Sequence, residues 1–345
     1  MGISTKSFGK TKEGAEVTLY TITNKNGFRV GALDYGAVIV NLIVPDKNGK
    51  EDDIVLGFDD VAGYEVNGCF FGAFIGRHGN RIGQAKFELN GTTYELEKND
   101  GENNLHGGTP GYHQVMYKAS TTENSVTFSR VSPDMEQGYP GNLDIQLTYT
   151  LTDDNELKID YKTKSDKDTL CNLTNHSYFN LKGHDGGTIT GHKVWIKANG
   201  FTATSDDLIP NGEITDVTGT PMDFRTKKAL SKDIEADYRP LVIAGGYDHN
   251  YVLDKADGVL EKVAEVSEDT SGRTMEIYTD LPGMQLYSGN FIVKEDGKNG
   301  TVYTKRTGVC FETQFFPNSV NVPSFQSCVL KAGETFTSTT IYKFI

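Results

Sequence analysis

No stretch of this 345-residue chain approaches the roughly 18 consecutive apolar residues that a membrane-spanning helix needs. Its first residues, Met1-Gly2-Ile3-Ser4-Thr5-Lys6-Ser7, lack the apolar centre of a signal sequence, and Lys6 stands where a myristoylation pattern asks for Ser or Thr. Cysteine is scarce. Cys69, Cys171, Cys310 and Cys328 are widely separated, with no C-x-x-C pair and no His at zinc-ligand spacing, so they read as reduced, mostly buried thiols of a cytoplasmic protein. A basic block is missing too: Lys+Arg 34 against Asp+Glu 47 leaves −13, spread along the chain. That balance repels nucleic acid and anionic membranes, and makes a neutral, hydroxyl-rich ligand the easier partner. No Pro-, Ser- or charge-rich linker, internal repeat or low-complexity segment divides the chain, which reads as one domain over residues 1–345 although length alone suggests two.

Helical periodicity is the next thing in short supply. Ala229 to Tyr238 suits one short surface helix and Val61 to Glu65 one further turn. Period-two alternation dominates instead. Leu143, Ile145, Leu147, Tyr149 and Leu151 alternate with polar residues, Asp153-Asp154-Asn155 supplies a turn, and Leu157, Ile159 and Tyr161 resume, which predicts a hairpin with one buried face. The pattern recurs at Glu16 to Thr23, Gln84 to Leu89 with Thr92 to Leu96, Ser125 to Val131, Lys193 to Lys197 and Thr274 to Thr279. Asn-Gly pairs at 26-27, 48-49, 90-91, 199-200, 211-212 and 299-300 predict tight connections, because both residues tolerate the positive φ of hairpin turns. The pattern alone points to an all-β sandwich or barrel of antiparallel strands.

Chemistry-bearing residues lie far apart on this pattern. Asn175-His176-Ser177-Tyr178-Phe179-Asn180 puts an imidazole among amides and aromatics, in a run that reads as a strand entering a loop. Asn104-Leu105-His106-Gly107-Gly108 sets a second imidazole before paired glycines, Gly246-Tyr247-Asp248-His249 places a carboxylate in a loop, and Phe311-Glu312-Thr313-Gln314 interrupts an apolar strand with an acid. Taken singly, a strand His is more often structural, a loop Asp more often a turn former, and His106 a turn residue. Glu312 differs, since Val309, Cys310, Phe311, Phe315 and Phe316 surround it with apolar groups against which an unpaired carboxylate is costly. Asn80 and Arg81 follow Gly76-Arg77-His78-Gly79, where glycines allow close approach and Arg offers a fork of donors. The segment lacks the Lys-Ser/Thr of a phosphate-binding loop.

Together with Gly138-Tyr139-Pro140-Gly141, these motifs occur in the order found in the aldose 1-epimerase (galactose mutarotase) family, and the chain resembles that family from about residue 15 to Thr340-Ile341-Tyr342. The resemblance implies a large antiparallel two-sheet super-sandwich with few short helices and an open sugar cleft on a curved sheet. It implies an isomerase interconverting the α and β anomers of free hexoses such as galactose and glucose, with Glu312 as general base and His176 as general acid. His106 aligns with an imidazole at the ring oxygen, and Asn80, Arg81, Asp248 and Gln285 with sugar-binding positions. No metal, nucleotide or other cofactor is expected, nor a nucleic-acid or membrane partner; the protein is expected as a monomer or homodimer. Gln326 and Ala332 depart from the family pattern, which has proline there. His78, His113, His184, His192 and His249 carry no assigned chemistry and read as surface or hydrogen-bonding residues, with His249 a candidate supporter of Asp248. A non-catalytic sugar-binding protein, or a glycoside hydrolase using Asp248 and Glu312, is the alternative.

Overall fold

The computed structural model describes residues 2–345, and antiparallel strands build nearly all of its regular structure. The largest sheet has nine strands, running in space from Lys118–Thr121 through Ser125–Ser132, Leu143–Leu151, Glu156–Ser165, Thr335–Phe344, Thr274–Thr279, Glu261–Ser267 and Lys193–Ile196 to Lys228–Ala229. Its central hairpin follows from the alternation at 143–161: Leu143, Ile145, Leu147, Tyr149 and Leu151 are buried, and Asn155 makes the turn at φ 62°. A five-stranded sheet, in the order Pro210–Asp216, Ala198–Thr204, Asp248–Leu253, Gly283–Tyr287 and Cys310–Gln314, packs its apolar face against the nine-stranded one. Tyr251, Met284, Leu286 and Phe311 from the smaller sheet share a core with Leu157, Ile277 and Tyr342 from the larger, and the Tyr342 hydroxyl donates to the Phe311 carbonyl across it (2.8 Å). Burying such side chains stabilises the sandwich by about 1.5–3 kcal/mol each. A second five-stranded sheet, Gly2–Lys10 to Glu51–Asp53, covers one end.

The expected two-sheet sandwich is therefore present, with differences in detail. Val61–Val66 is helical, capped by Asp60, whose side chain accepts from the Gly63 N–H. Ala229 to Tyr238 is not a helix. Lys228–Ala229 is captured as the edge strand of the nine-stranded sheet, which leaves one 3₁₀ turn at Leu230–Lys232; the helix comes later, at Arg239–Ala244. Pro240 has its φ preset for a first helical turn and Gly245 closes the last at φ 67°. Of the Asn-Gly pairs, 90-91 turns a hairpin with both residues at positive φ, but 199-200 and 211-212 lie inside strands. Gly200 sits where the register shifts, and a Cβ there would meet the Ile214 side chain at 2.7 Å, so its glycine serves a close strand approach rather than a turn.

Candidate active site

One wall of the site is made by strand pairing. Asp248, Tyr287 and Cys310 stand opposite one another across three neighbouring strands, and Asn250, Gln285 and Glu312 do so one step further on. Opposed residues and alternate residues share a face in an antiparallel ladder, so these six side chains project away from the core shared with the nine-stranded sheet, and Tyr287 and Cys310 join a second apolar cluster on the other side. A row of amides supports them. Gln314 donates to Asn250 (3.1 Å) and to the Gln285 carbonyl oxygen (3.4 Å), which leaves the Gln285 amide to donate to Asp248 Oδ1 (2.7 Å). His176 ends the short strand Thr174–His176, paired with Ala73–Ile75, and brings Nε2 to 3.6 Å from Glu312 Oε1. Both side chains are almost closed to solvent, at 5% and 2% exposure, and Glu312 Oε2 has no partner.

The opposite wall is irregular backbone. His106 and Asn80 lock two loops together: the Asn80 N–H donates to His106 Nδ1 (3.1 Å) and the His106 N–H to the Asn80 carbonyl (3.1 Å). The next residue must be glycine, because Gly107 has φ 88° and a Cβ would lie 2.3 Å from the Gly76 carbonyl oxygen. Arg81 is anchored through Nε to Asp100 (2.7 Å), with Nη1 4.0 Å from Asp248. The Gly138-Tyr139-Pro140-Gly141 motif acts from behind, where the Tyr139 hydroxyl donates to Asn104 (3.1 Å) and fully buried Arg77 donates to the Pro140 and Gly141 carbonyls.

These walls enclose a cleft of about 240 Å³, lined by Asn80, Arg81, His106, His176, Asp248 and Glu312 of the expected set. Gln285 is not among the lining residues and lies behind Asp248. Sequence reasoning missed Phe70, Asp100, Tyr178, Tyr287 and Phe291, which also line it. Phe70 is the most consequential: its ring centroid is 4.7 Å from that of His106 and 5.8 Å from that of His176, so one aromatic side chain touches both imidazoles. Nothing in Asn67-Gly68-Cys69-Phe70 distinguishes it from a core aromatic. The five remaining histidines are buried, not at the surface. His249 Nδ1 accepts from the Asp248 N–H (3.0 Å), so it does brace that residue's backbone, and His192 accepts from the Leu181 N–H (2.9 Å).

Burial sets the electrostatics. It pushes His176 down to about 3 and His106 well below the ordinary imidazole range, the latter helped by the neighbouring His176 and Arg81. Burial first, and the Asp248 charge second, hold Glu312 well above the usual carboxylate range. The ligand atoms of His106, His176 and Glu312 lie within 4.8 Å of one another, a donor set of the kind zinc uses. A metal-ligating imidazole gives its other N–H to an acceptor, however, whereas His106 Nδ1 faces the Asn80 N–H, a donor. The neutral His106 ring therefore keeps its proton on Nε2 and shows the cleft a hydrogen-bond donor instead of a lone pair. The arrangement suits an oxygen-rich neutral molecule that meets a carboxylate and two imidazoles on one side.

Comparison with known proteins bears on the family of the chain. The sequence profile of the family described as Aldose 1-epimerase matches residues 18–343. Galactose mutarotase from Bos taurus is 42% identical over 340 residues, covering 98% of this chain and 97% of that protein. Aldose 1-epimerase from Escherichia coli (strain K12) is 34% identical over 338 residues, 96% of each. Among solved structures, an aldose epimerase homologue from C. elegans superposes with a TM-score of 0.87 at 31% identity, covering 95% of this chain and 98% of that one.

Proposed function

We propose a division of roles within the cleft on one premise: the chain belongs to the aldose 1-epimerase family and is an enzyme of the isomerase class. Interconverting the anomers of a cyclic aldose takes the proton from the C1 hydroxyl, breaks the bond between C1 and the ring oxygen, protonates that oxygen, and closes the ring on the other face. Glu312 is the base. Its carboxylate takes the C1 hydroxyl proton as the electron pair of the breaking bond moves to the ring oxygen, and His176 gives that oxygen its proton. His106 donates to the same region through Nε2, while Asp248, held by Gln285, and Arg81 and Asn80 bind the remaining hydroxyls. Each such proton transfer typically contributes about 10²- to 10⁴-fold. The substrates are free hexoses such as galactose and glucose. Since the cleft draws on residues from 68 to 312, it supports reading residues 1–345 as one domain.

The observation that carries these roles is the 3.6 Å approach of a buried imidazole to a buried carboxylate with an unpartnered oxygen, side by side on one wall of a cleft of about 240 Å³. A hydrolase needs two carboxylates flanking the bond it cuts. Asp248 and Glu312 both line the cleft, but Asp248 is already engaged by Gln285 and lies beside Arg81, and the group closest to Glu312 is an imidazole. Polarimetry on freshly dissolved α-galactose and α-glucose tests the reading directly. The enzyme should accelerate the approach to the equilibrium rotation and leave a chromogenic galactoside intact; release of the chromophore would favour the hydrolase.

A further inference from the structure

His106 and His176 differ in what stands behind them. Behind His106 Nδ1 is a backbone N–H, a permanent donor 3.1 Å away, so that nitrogen can only accept and the ring cannot take up a second proton there. Behind His176 Nδ1 is the Cys310 thiol, 3.5 Å away and fully buried, and a thiol is both a weak donor and a weak acceptor. Cys310 is one strand position pair removed from Glu312 and on the same face, so one strand carries both the base and the group behind the acid.

We propose that Cys310 is a positioning residue for the general acid: its sulfur accepts from Nδ1–H of His176 in the neutral and in the charged ring alike, so that the proton His176 gains and loses is the one on Nε2, the nitrogen beside Glu312. The two imidazoles are thereby given different duties by their neighbours. His106 is held as a fixed neutral donor, and His176 alone is free to change its proton count during turnover. This rests on the role of His176 proposed above. In the reacting state the imidazolium has Nδ1–H directed at sulfur and Nε2–H directed at the ring oxygen. Breakage of the C1 to ring-oxygen bond sends its electron pair to that oxygen, which takes the Nε2 proton; the C1 hydroxyl proton passes to Glu312; and the imidazole is left neutral with its remaining proton on Nδ1. Cys310 keeps its own proton throughout, since burial holds the thiol well above its ordinary range and a buried thiolate beside Glu312 would be costly.

The test compares Cys310→Ala, which removes the sulfur, with Cys310→Ser, which restores a group able to donate and accept. Kinetics are read by polarimetry, and the ring nitrogens of ¹⁵N-histidine-labelled protein by two-bond ¹H–¹⁵N correlation spectra, in which His106→Gln and His176→Asn assign the two rings. Cys310→Ala should lower kcat about tenfold with KM within about twofold, the size expected for loss of one partner in a coupled hydrogen-bond network. It should also move the His176 Nδ1 resonance while leaving that of His106 in place. Cys310→Ser should recover both. An unmoved His176 resonance in Cys310→Ala overturns the proposal whatever happens to kcat, because any loss would then be packing alone; so does a moved resonance with unchanged kcat. Normal turnover by His176→Asn would instead remove the acid assignment on which the proposal stands.

Discussion

The two walls of the cleft are built by opposite means. Asp248, Tyr287 and Glu312 come from a ladder in which pairing fixes each Cβ at about 5 Å from its cross-strand neighbour, and His176 ends a strand of its own. Phe70, Asn80 and His106 come from loops, and all three hold positive φ, at 60°, 62° and 54°. Such backbone costs of order 1 kcal/mol or more per residue for anything but glycine or Asn, and it persists only where surroundings enforce it. The reciprocal hydrogen bonds of Asn80 with His106 and the packing of Phe70 against three imidazole rings are that enforcement. The groups proposed to move protons stand on the regular wall, where a shift of an ångström is hardest. The irregular wall carries groups that donate to and bind the sugar, where backbone shape has to follow the ligand.

The largest test of this division falls on the regular wall. Glu312→Gln preserves shape and some hydrogen bonding but removes the base, so kcat should fall at least about 10²-fold with a smaller change in KM. His176→Asn should do likewise, because an amide delivers no proton to the ring oxygen. Steady-state polarimetry on galactose checks both, and near-normal turnover in either would mean that proton transfer is not housed on the strands.

The same contrast explains what the sequence could reveal. Alternating residues exposed strands of the nine-stranded sheet but not those of the regular wall. Glu312 read as an acid in an apolar strand, His176 as part of a strand entering a loop, and Asp248 as a loop residue although it opens the strand Asp248–Leu253, so that the order of the motifs is what marked these three and Gln285. That Gln285 sits behind Asp248 could not be read from Pro282-Gly283-Met284-Gln285, since only the cross-strand register sets which side chain is in front. On the irregular wall Asn80, Arg81 and His106 were marked by the family resemblance, since their glycines by themselves read only as turns or close approaches. Phe70, Asp100 and Phe291 were not, because an aromatic or a carboxylate in a loop carries no periodic or spacing signal. The histidines show the limit in another way: His78, His113 and His192 read as surface or hydrogen-bonding residues, and only the packed structure shows that all three are buried, with His192 accepting from the Leu181 N–H.

A medium-sized effect should come from substrate charge. Among the residues lining the cleft, Arg81 is the only Arg or Lys, and Asp100 at 2.7 Å and Asp248 at 4.0 Å already take up its charge. Nothing on either wall is left to reward a phosphate with charge-assisted hydrogen bonds. Free galactose and glucose should therefore show kcat/KM at least about tenfold above their 6-phosphates, roughly 1.4 kcal/mol. Equal or better efficiency on glucose 6-phosphate at matched ionic strength would show that the irregular wall presents a second cation to the ligand.

Asp248→Asn probes the place where the walls meet. The carboxylate is proposed to bind a hydroxyl in ground and transition state alike, and uniform binding energy appears in KM. KM for galactose should rise several-fold, less than the worth of a whole charged hydrogen bond because the amide oxygen still accepts, with kcat changed less. A variant that lost kcat and kept KM would move Asp248 into the proton-transfer machinery.

The smallest expected effect is a displacement of the pH profile by the same substitution. The reactive form of the Glu312–His176 pair holds one proton; burial favours it on Glu312 in the resting enzyme, and the forward step begins once it has passed to His176 Nε2, 3.6 Å away. Activity is lost at low pH when a second proton binds, and at high pH when the shared proton leaves. The pair titrates as a unit, and with Glu312 held well above the usual carboxylate range the alkaline limb of kcat/KM records loss of that shared proton. After burial, the Asp248 charge is the next cause of the raised Glu312 value, while Arg81 opposes it. Removing the negative charge in Asp248→Asn makes the shared proton easier to lose, so the alkaline limb should move to lower pH. Removing the positive charge in Arg81→Met should move it to higher pH. Each shift should be less than about one pH unit, because a charge at cleft distance acts through an effective dielectric far above that of a dry interior. Limbs that moved together, or in the reversed order, would show that these two charges reach the strand wall through structural rearrangement rather than through the field of the cleft.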